Sequence, residues 1–243
     1  IIAGIVSLGL LGNYAYFGSV NTALPLGQGW LAVLLCGVLC GLAGGLFARI
    51  ILLDGGVLSR LAKVRMRWPI PFAAACGLAL AVIGLASVGS VYGTGYDQAR
   101  AILQQAATAP GAGFGGYKFL ANVASYWAGI PGGIFSPALA VGAGLGHNIA
   151  HLLPGSPAAA VVLLGMAGYL AGVTQAPLTS AIISMELTAN QGMIIPILAV
   201  CLIARGSSAL FCPVPVYRAF AQRLVAEHEI LRQPEPPAGA HTP

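Results

Sequence analysis

The chain has 243 residues, of which 58% are hydrophobic and 7% are charged, whereas soluble globular domains carry about 25% charged residues. This composition excludes a soluble domain and predicts an all-α, polytopic membrane protein. The formal net charge of +5 comes from basic residues scattered among the loops. Membrane topology explains that charge better than nucleic acid does, so we expect no nucleic-acid partner.

The N-terminal part predicts two long apolar segments, at residues 1–17 and 30–53, joined by an uncharged loop. The first ends in aromatic residues that suit a headgroup boundary, namely Tyr14, Tyr16 and Phe17. The second is rich in glycines that allow neighbouring helices to approach closely, namely Gly37, Gly41, Gly44 and Gly45. A basic loop follows, and the positive-inside rule predicts that it is cytoplasmic; it contains Arg60, Lys63, Arg65 and Arg67.

The remaining segments are short, uneven and often interrupted by proline or glycine. Before the middle of the chain we predict segments at 68–87, 96–107 and 117–128. After it we predict segments at 138–153, 158–174, 178–188, 193–203 and 218–231, with a second cytoplasmic boundary at 205–208. Short, broken half-helices are typical of transporters and channels that have a site near the bilayer midplane.

A proline- and glycine-rich break stands at the centre of the chain, between Ser125 and Pro137. Prolines and glycines end any helix arriving from upstream, and Pro137 is tolerated only in the first turn of a new helix. A helix therefore begins near residues 133–137. Backbone amides at such an end have no partner within the helix and can bind an anion; here they belong to Gly133, Ile134 and Phe135.

No Asp, Glu, Lys or Arg occurs between Phe119 and Met185. An anion bound at the break would therefore be held by dipoles, which favours passage over permanent capture. A simple turn between two buried helices explains the same residues equally well on spacing alone, because glycine and proline are common in membrane helices.

Three motifs, in order along the chain, identify a family. They are Gly132-Gly-Ile-Phe-Ser-Pro137, the stretch Gln175-Ala-Pro-Leu-Thr that runs on to Glu186-Leu-Thr188, and Val214-Pro-Val-Tyr217. These motifs resemble the Gly-x-Phe-x-Pro signature, the downstream Ala-Pro-Leu-Thr helix and the pore tyrosine of the CLC family of chloride channels and chloride/proton antiporters. The resemblance extends over essentially the whole chain and is weakest before Tyr117.

The resemblance implies that residues 1–232 are the C-terminal half of a CLC-type transmembrane domain, the second of two inverted halves. Residues 233–243 would form a disordered cytoplasmic tail. It further implies that the amides of Ile134 and Phe135 and the hydroxyl of Tyr217 bind the anion. The serine-loop and gate-glutamate motifs of the first half do not occur, so we expect a missing N-terminal half as a partner. Channel and antiporter both stay open.

The expected function is chloride transport by a protein that is not an enzyme, with chloride as substrate and no cofactor. The expected setting is a lipid bilayer, the plasma or inner membrane, with the C-terminus cytoplasmic. By resemblance, two complete subunits would form a homodimer through residues 1–17 and 178–203. A non-transporting membrane scaffold or assembly subunit with a CLC-like half fold is the alternative.

Other polar residues have a structural interpretation. We expect Glu186 to reach loop amides or an arginine at a helix end. His147 and His151 have the i, i+4 spacing that can hold a metal, but without a third ligand nearby we favour interfacial anchors and predict no metal site. The glycines at 142–146 are expected to pack helices, and the five cysteines are expected to be small buried hydrophobes.

Overall fold

The computed structural model describes residues 2–12, 15–25, 27–52, 56–129 and 132–232. These residues form helices and no strand, which confirms the predicted all-α class. The helices are α1 (Ile2–Leu11), α2 (Gln28–Leu52), α3 (Gly56–Arg67), α4 (Pro69–Ala86), α5 (Tyr96–Leu103), α6 (Phe114–Trp127), α7 (Phe135–Leu152), α8 (Ala158–Thr174), α9 (Pro177–Thr188), α10 (Ile194–Ser208) and α11 (Val216–Arg232). The predictions for the 233–243 tail, for Tyr14 and for Pro131 concern residues outside the described ranges.

Helix lengths agree with a chain of full and partial membrane spans. Two helices, Gly29–Leu52 and Pro69–Ala86, are long and apolar enough to cross a membrane, and α8 and α10 are shorter apolar helices. Prolines begin α4 and α9, where the missing N–H is not needed. Gln175 (φ 54°) and Ala189 (φ 49°) lie in the left-handed region just after α8 and α9, so the chain turns sharply at both ends.

The basic segment is a helix, not the predicted loop. Residues 56–67 form α3 without an internal glycine or proline. Leucine, lysine, arginine and methionine are strong helix formers, and here apolar positions alternate with basic ones at helical spacing. The positive-inside rule indicated the side of the membrane, but it carries no information on secondary structure.

Some segment ends also differ from the predictions. The first apolar segment is helical only to Leu11, because Gly12 takes a positive φ of 74° that ends a helix readily. Phe17 is 1% exposed and its amide donates to the Leu187 carbonyl oxygen at 2.9 Å, so its ring packs inside the protein. Helix α6 begins at Phe114, three residues early, because the Phe114 side chain is buried in the core.

Helix α10 continues through the predicted boundary at 205–208. The Ser207 hydroxyl donates to the Ile203 carbonyl oxygen of its own helix and to the Gly37 carbonyl oxygen of α2, each at 3.0 Å. Ser208 is fully buried. Ser207 therefore joins α10 to α2, and Ser208 joins it to α8 by donating to the Gly172 carbonyl oxygen.

Helix α8 forms the centre of the core, since every residue from Ala160 to Thr174 is buried. Its neighbours approach closely at glycines. A Cβ atom on Gly44 of α2 would lie 2.8 Å from the Gly172 backbone, and one on Gly142 of α7 would lie 2.6 Å from the Gly165 carbonyl oxygen. The predicted role of the glycines in α2 and at 142–146 is confirmed.

Candidate anion site

The break at the centre of the chain leads into the N-terminus of α7. Helix α7 begins at Phe135 with Pro137 in its first turn, and no side chain caps it. Among the described residues, no backbone carbonyl accepts a hydrogen bond from the Gly133 or Ile134 amide. The helix start is therefore where the sequence predicted it, and its amides are available to an anion.

A cavity of about 550 Å³ opens at this helix end. It is lined by residues from the turn before α5, from α6 and from the start of α7, namely Gly93, Thr94, Asn122, Ser125, Tyr126, Gly132, Gly133, Phe135, Ser136 and Pro137. Of the predicted site residues, Gly133 and Phe135 line this cavity. The Ile134 side chain is 6% exposed and belongs to the hydrophobic core, so only its backbone could serve an anion.

Helix α6 presents a polar face to the cavity. Asn122, Ser125 and Tyr126 follow one another at i, i+3 and i+4, which places them on one side of a helix. The Tyr126 hydroxyl donates to the Gly132 carbonyl oxygen at 3.1 Å, and the Asn122 amide donates to the Pro137 carbonyl oxygen at 3.3 Å. These two bonds fix the break and the first turn of α7 against α6.

The Ser136 hydroxyl is a further donor at the cavity. Its oxygen is buried and has no hydrogen-bond partner among the described residues, although buried hydroxyls are nearly always hydrogen-bonded. Ser125, in contrast, donates to the Ala121 carbonyl oxygen of its own helix at 2.9 Å. Ser136 therefore has a hydrogen bond to give to a molecule in the cavity, whereas the Ser125 hydrogen is already used.

Lys118 places a buried ammonium beside the same region. Its side chain is 1% exposed, and Nζ donates to the carbonyl oxygens of Val91 and Gly93, each at 2.7 Å. Both acceptors are neutral, so these hydrogen bonds do not cancel the charge of the ammonium. Gly93 lines the cavity, so the Lys118 ammonium that it accepts a hydrogen bond from lies directly behind a residue of the cavity wall.

Sequence reasoning missed these side chains of α6, although a signal was present. Lys118, Asn122, Ser125 and Tyr126 recur at steps of four, three and one residues, which defines one helical face. A polar stripe of this kind in an otherwise apolar helix indicates a cavity or a partner. The stripe ends next to the Gly-Gly break, where the sequence predicts the anion-binding amides.

Tyr217 is the second residue of α11 and is 51% exposed. It does not belong to the residues that line the cavity. The chain before α11 is held by Gln175, whose amide donates to Ser208 Oγ at 3.3 Å and to the Cys212 carbonyl oxygen.

Glu186 is not bound as the sequence suggested. Its side chain is exposed, and within the described ranges no group donates a hydrogen bond to its carboxylate. The end of α9 is closed by its own backbone instead: the amides of Ala189 and Asn190 donate to the carbonyl oxygens of Glu186 and Met185 at 3.4 and 3.3 Å. The left-handed residue at 189 makes this closure possible.

Comparison with known families agrees with these features. The family model described as voltage gated chloride channel matches residues 1–209. The chain belongs to this family. Members of the family are integral membrane proteins, and the apolar helices of this chain are therefore membrane helices. The matched residues include the central break and helix α7.

Individual relatives carry two kinds of name. The chain is 31% identical over 230 residues to the H(+)/Cl(-) exchange transporter ClcA of Cronobacter sakazakii, covering 87% of this chain and 46% of that protein. It is 30% identical over 206 residues to the voltage-gated ClC-type chloride channel ClcB of Salmonella dublin, covering 82% of this chain and 47% of that protein. The chain thus spans less than half the length of these curated relatives.

Two solved structures share the fold. A CLC-type fluoride/proton antiporter superposes with a TM-score of 0.70 at 22% identity, covering 85% of this chain and 51% of that one. A slow cyanobacterial Cl-/H+ antiporter superposes with a TM-score of 0.71 at 22% identity, covering 94% of this chain and 55% of that one. The all-α CLC-type membrane fold is therefore that of this chain.

Proposed function

We propose that this chain transports anions as one half of a CLC-type membrane domain, and that it binds chloride at the start of α7. One observation carries the proposal: within the part of the chain that the structure describes, an uncapped helix N-terminus faces a cavity in which the buried Ser136 hydroxyl has no partner. The names of its relatives, a proton/chloride exchanger and a chloride channel, support chloride as the anion.

The chemistry of the site suits passage of the ion. The amides of Gly133, Ile134 and Phe135 and the Ser136 hydroxyl replace part of the hydration shell with fixed dipoles. Lys118 does not line the cavity; its ammonium donates two of its three hydrogens to the Val91 and Gly93 carbonyl oxygens and would attract an anion from behind the wall. A dipolar site with a more distant charge binds weakly enough to release the ion.

A second half of the pathway completes the site. The candidate amides and the Ser136 hydroxyl all belong to the start of α7, and this chain covers 51% and 55% of the two antiporter chains that it superposes on. We therefore expect a first, inverted half to supply the remaining donors. The 243-residue chain reconstituted alone should give no chloride efflux above that of empty liposomes, whereas the complete protein should give efflux.

The proposal includes a homodimer and a cytoplasmic C-terminus. Helices α1, α9 and α10 expose large apolar side chains within the two predicted contact segments, namely Ile2, Ile5, Leu10, Leu178, Ile182, Ile194 and Ile195. Exposed apolar surface of this kind suits lipid or a second subunit. The basic side of the membrane would hold α3 and the C-terminal helix.

Chloride titration of two serine variants of the complete protein tests the proposed site. Ser136→Ala removes an unpartnered hydroxyl and should weaken chloride binding by about 0.5–1.5 kcal/mol, the range for one hydrogen bond. Ser125→Ala is the matched control, because that hydroxyl lines the same cavity but is bonded to its own helix. Equal affinities in both variants would argue against the site. Absence of chloride binding in the unmodified protein would favour a non-transporting scaffold.

A further inference from the structure

Two histidines face each other at the C-terminal end of α7. The Nε2 atoms of His147 and His151 are 3.2 Å apart, and the rings stand nearly perpendicular, with centroids 4.6 Å apart and an interplanar angle of 83°. The pair lies four residues apart on one face of the helix. The two residues are about 18 and 24 Å along the helix from Phe135 at 1.5 Å per residue, so the pair is separate from the candidate anion site.

The separation of the two nitrogens suits a shared metal ion. For metal–nitrogen bonds of about 2.1 Å, two imidazole nitrogens lie about 3.0 Å apart at a right angle and about 3.4 Å apart at a tetrahedral angle. The observed 3.2 Å falls between these limits. The distance between the two nitrogens is therefore the distance that a shared metal ion requires.

The helix end that carries the pair is held in place. Asn148, between the two histidines, donates its side-chain amide to the Ala112 carbonyl oxygen at 2.9 Å. Gly146 packs against the Val162 backbone. His151 is exposed, so the remaining coordination positions of a metal are open to water. Within the described ranges no group of three or more metal-ligating side chains occurs, so the site has two protein ligands.

We propose that His147 and His151 form an open, two-imidazole site for a divalent transition-metal ion of the Ni²⁺, Cu²⁺ and Zn²⁺ class. Imidazole nitrogen prefers these ions, whereas Mg²⁺ and Ca²⁺ require oxygen ligands. The sequence alone favoured interfacial anchors because a third ligand was missing. The facing nitrogens change that assessment, because water can supply the other ligands.

Isothermal titration with Ni²⁺ tests the proposal on the full chain, purified in detergent without a polyhistidine tag. We expect one Ni²⁺ per chain and no heat from Mg²⁺. His147→Ala and His151→Ala should each weaken Ni²⁺ binding by about tenfold or more, since even groups that only support a metal ligand are worth about 10- to 100-fold in affinity. A His228→Ala/His241→Ala double variant, which removes the other two histidines of the chain, should bind Ni²⁺ as the parent does.

A register control separates chelation from the mere presence of two histidines. His151→Ala combined with Leu152→His keeps two histidines at the end of α7 but places them five residues apart, on different faces. Leu152 is exposed, so this change does not disturb the core. The double variant should bind Ni²⁺ as weakly as His151→Ala. Parent-like binding in it, unchanged binding in both single variants, or no Ni²⁺ binding by the parent would each overturn the proposal.

Discussion

The Tyr126 hydroxyl donates a hydrogen bond to the Gly132 carbonyl oxygen at 3.1 Å and so ties the end of α6 to the break that precedes α7. Tyr126→Phe removes this tie and keeps the ring. We expect chloride affinity in the complete protein to fall by about 0.5–1.5 kcal/mol, because the amides beyond Gly132 are no longer held in one arrangement. Chloride titration measures the effect. Tyr117→Phe is the control, since it makes the same change on the same helix away from this cavity.

Lys118→Met tests the buried ammonium. Methionine keeps most of the length and removes the charge, so the carbonyls of Val91 and Gly93 lose their donor. We expect a loss of stability of about 1–3 kcal/mol, the cost of leaving buried polar groups unsatisfied, together with weaker chloride binding. Thermal unfolding in detergent and chloride titration measure the two effects. The exposed Lys63→Met is the control. Full retention of both properties would remove Lys118 from the site.

Gly142→Ala tests the packing of α7 on α8. A Cβ atom there would lie 2.6 Å from the Gly165 carbonyl oxygen and 2.7 Å from the Met166 Cα. Both neighbours are backbone, so the helices must separate, and overpacking costs about 1–3 kcal/mol. Gly77→Ala in α4 meets nothing within 4 Å and should leave the melting temperature unchanged or slightly raised, because alanine favours helix. Equal melting temperatures for the two variants would contradict this packing.

Cysteine labelling tests the orientation. All five native cysteines are buried, so maleimide labelling should report on the introduced cysteine. Arg60→Cys in α3 and Gln222→Cys in α11 should not react with a membrane-impermeant maleimide applied from outside. Both positions belong to basic helices, which the positive-inside rule places on the cytoplasmic side. Gln191→Cys should react. The Asn190 side-chain amide donates to the Thr22 carbonyl oxygen, which joins the loop of Gln191 to the chain before α2. This loop therefore lies near the start of α2, at the opposite end from α3. Labelling of Arg60→Cys or Gln222→Cys from outside would overturn the orientation.

The sequence predicts features that depend on local chemistry. The limits of α8 and the start of α7 follow from proline, glycine and apolar length, and the structure reproduces them. The role of Tyr126 depends on a carbonyl six residues away, across a break whose path sequence does not specify. Lys118 was missed because an isolated charge resembles a boundary residue until Val91 and Gly93 are brought to it. Helix α3 is not predicted, because the positive-inside rule uses its basic residues to indicate the side of the membrane and gives no secondary structure.

The last prediction concerns Tyr217, which follows a segment made rigid by two prolines. Pro213 and Pro215 each fix φ near −65°, and Val216 is buried beside it. The Tyr217 ring is half-exposed, so Tyr217→Phe should leave folding nearly untouched. If its hydroxyl donates to the anion, as the family resemblance implies, chloride affinity in the complete protein should fall by about 0.5–3 kcal/mol. Tyr217→Ala should weaken binding further, because the ring is also lost.

A double-mutant cycle makes this prediction sharper. Tyr126 holds the Gly132 carbonyl oxygen next to the candidate amides, so if Tyr217 donates to the same anion, the effects of the two changes on chloride affinity should be coupled. Chloride titration of Tyr126→Phe, Tyr217→Phe and the double variant should then give a coupling energy of at least about 0.5 kcal/mol, as expected for groups that share a partner. Additive losses would mean that the two phenols act separately. Tyr217 does not line the cavity. Unchanged chloride affinity in both Tyr217 variants would mean that this residue is an interfacial aromatic and does not bind the anion.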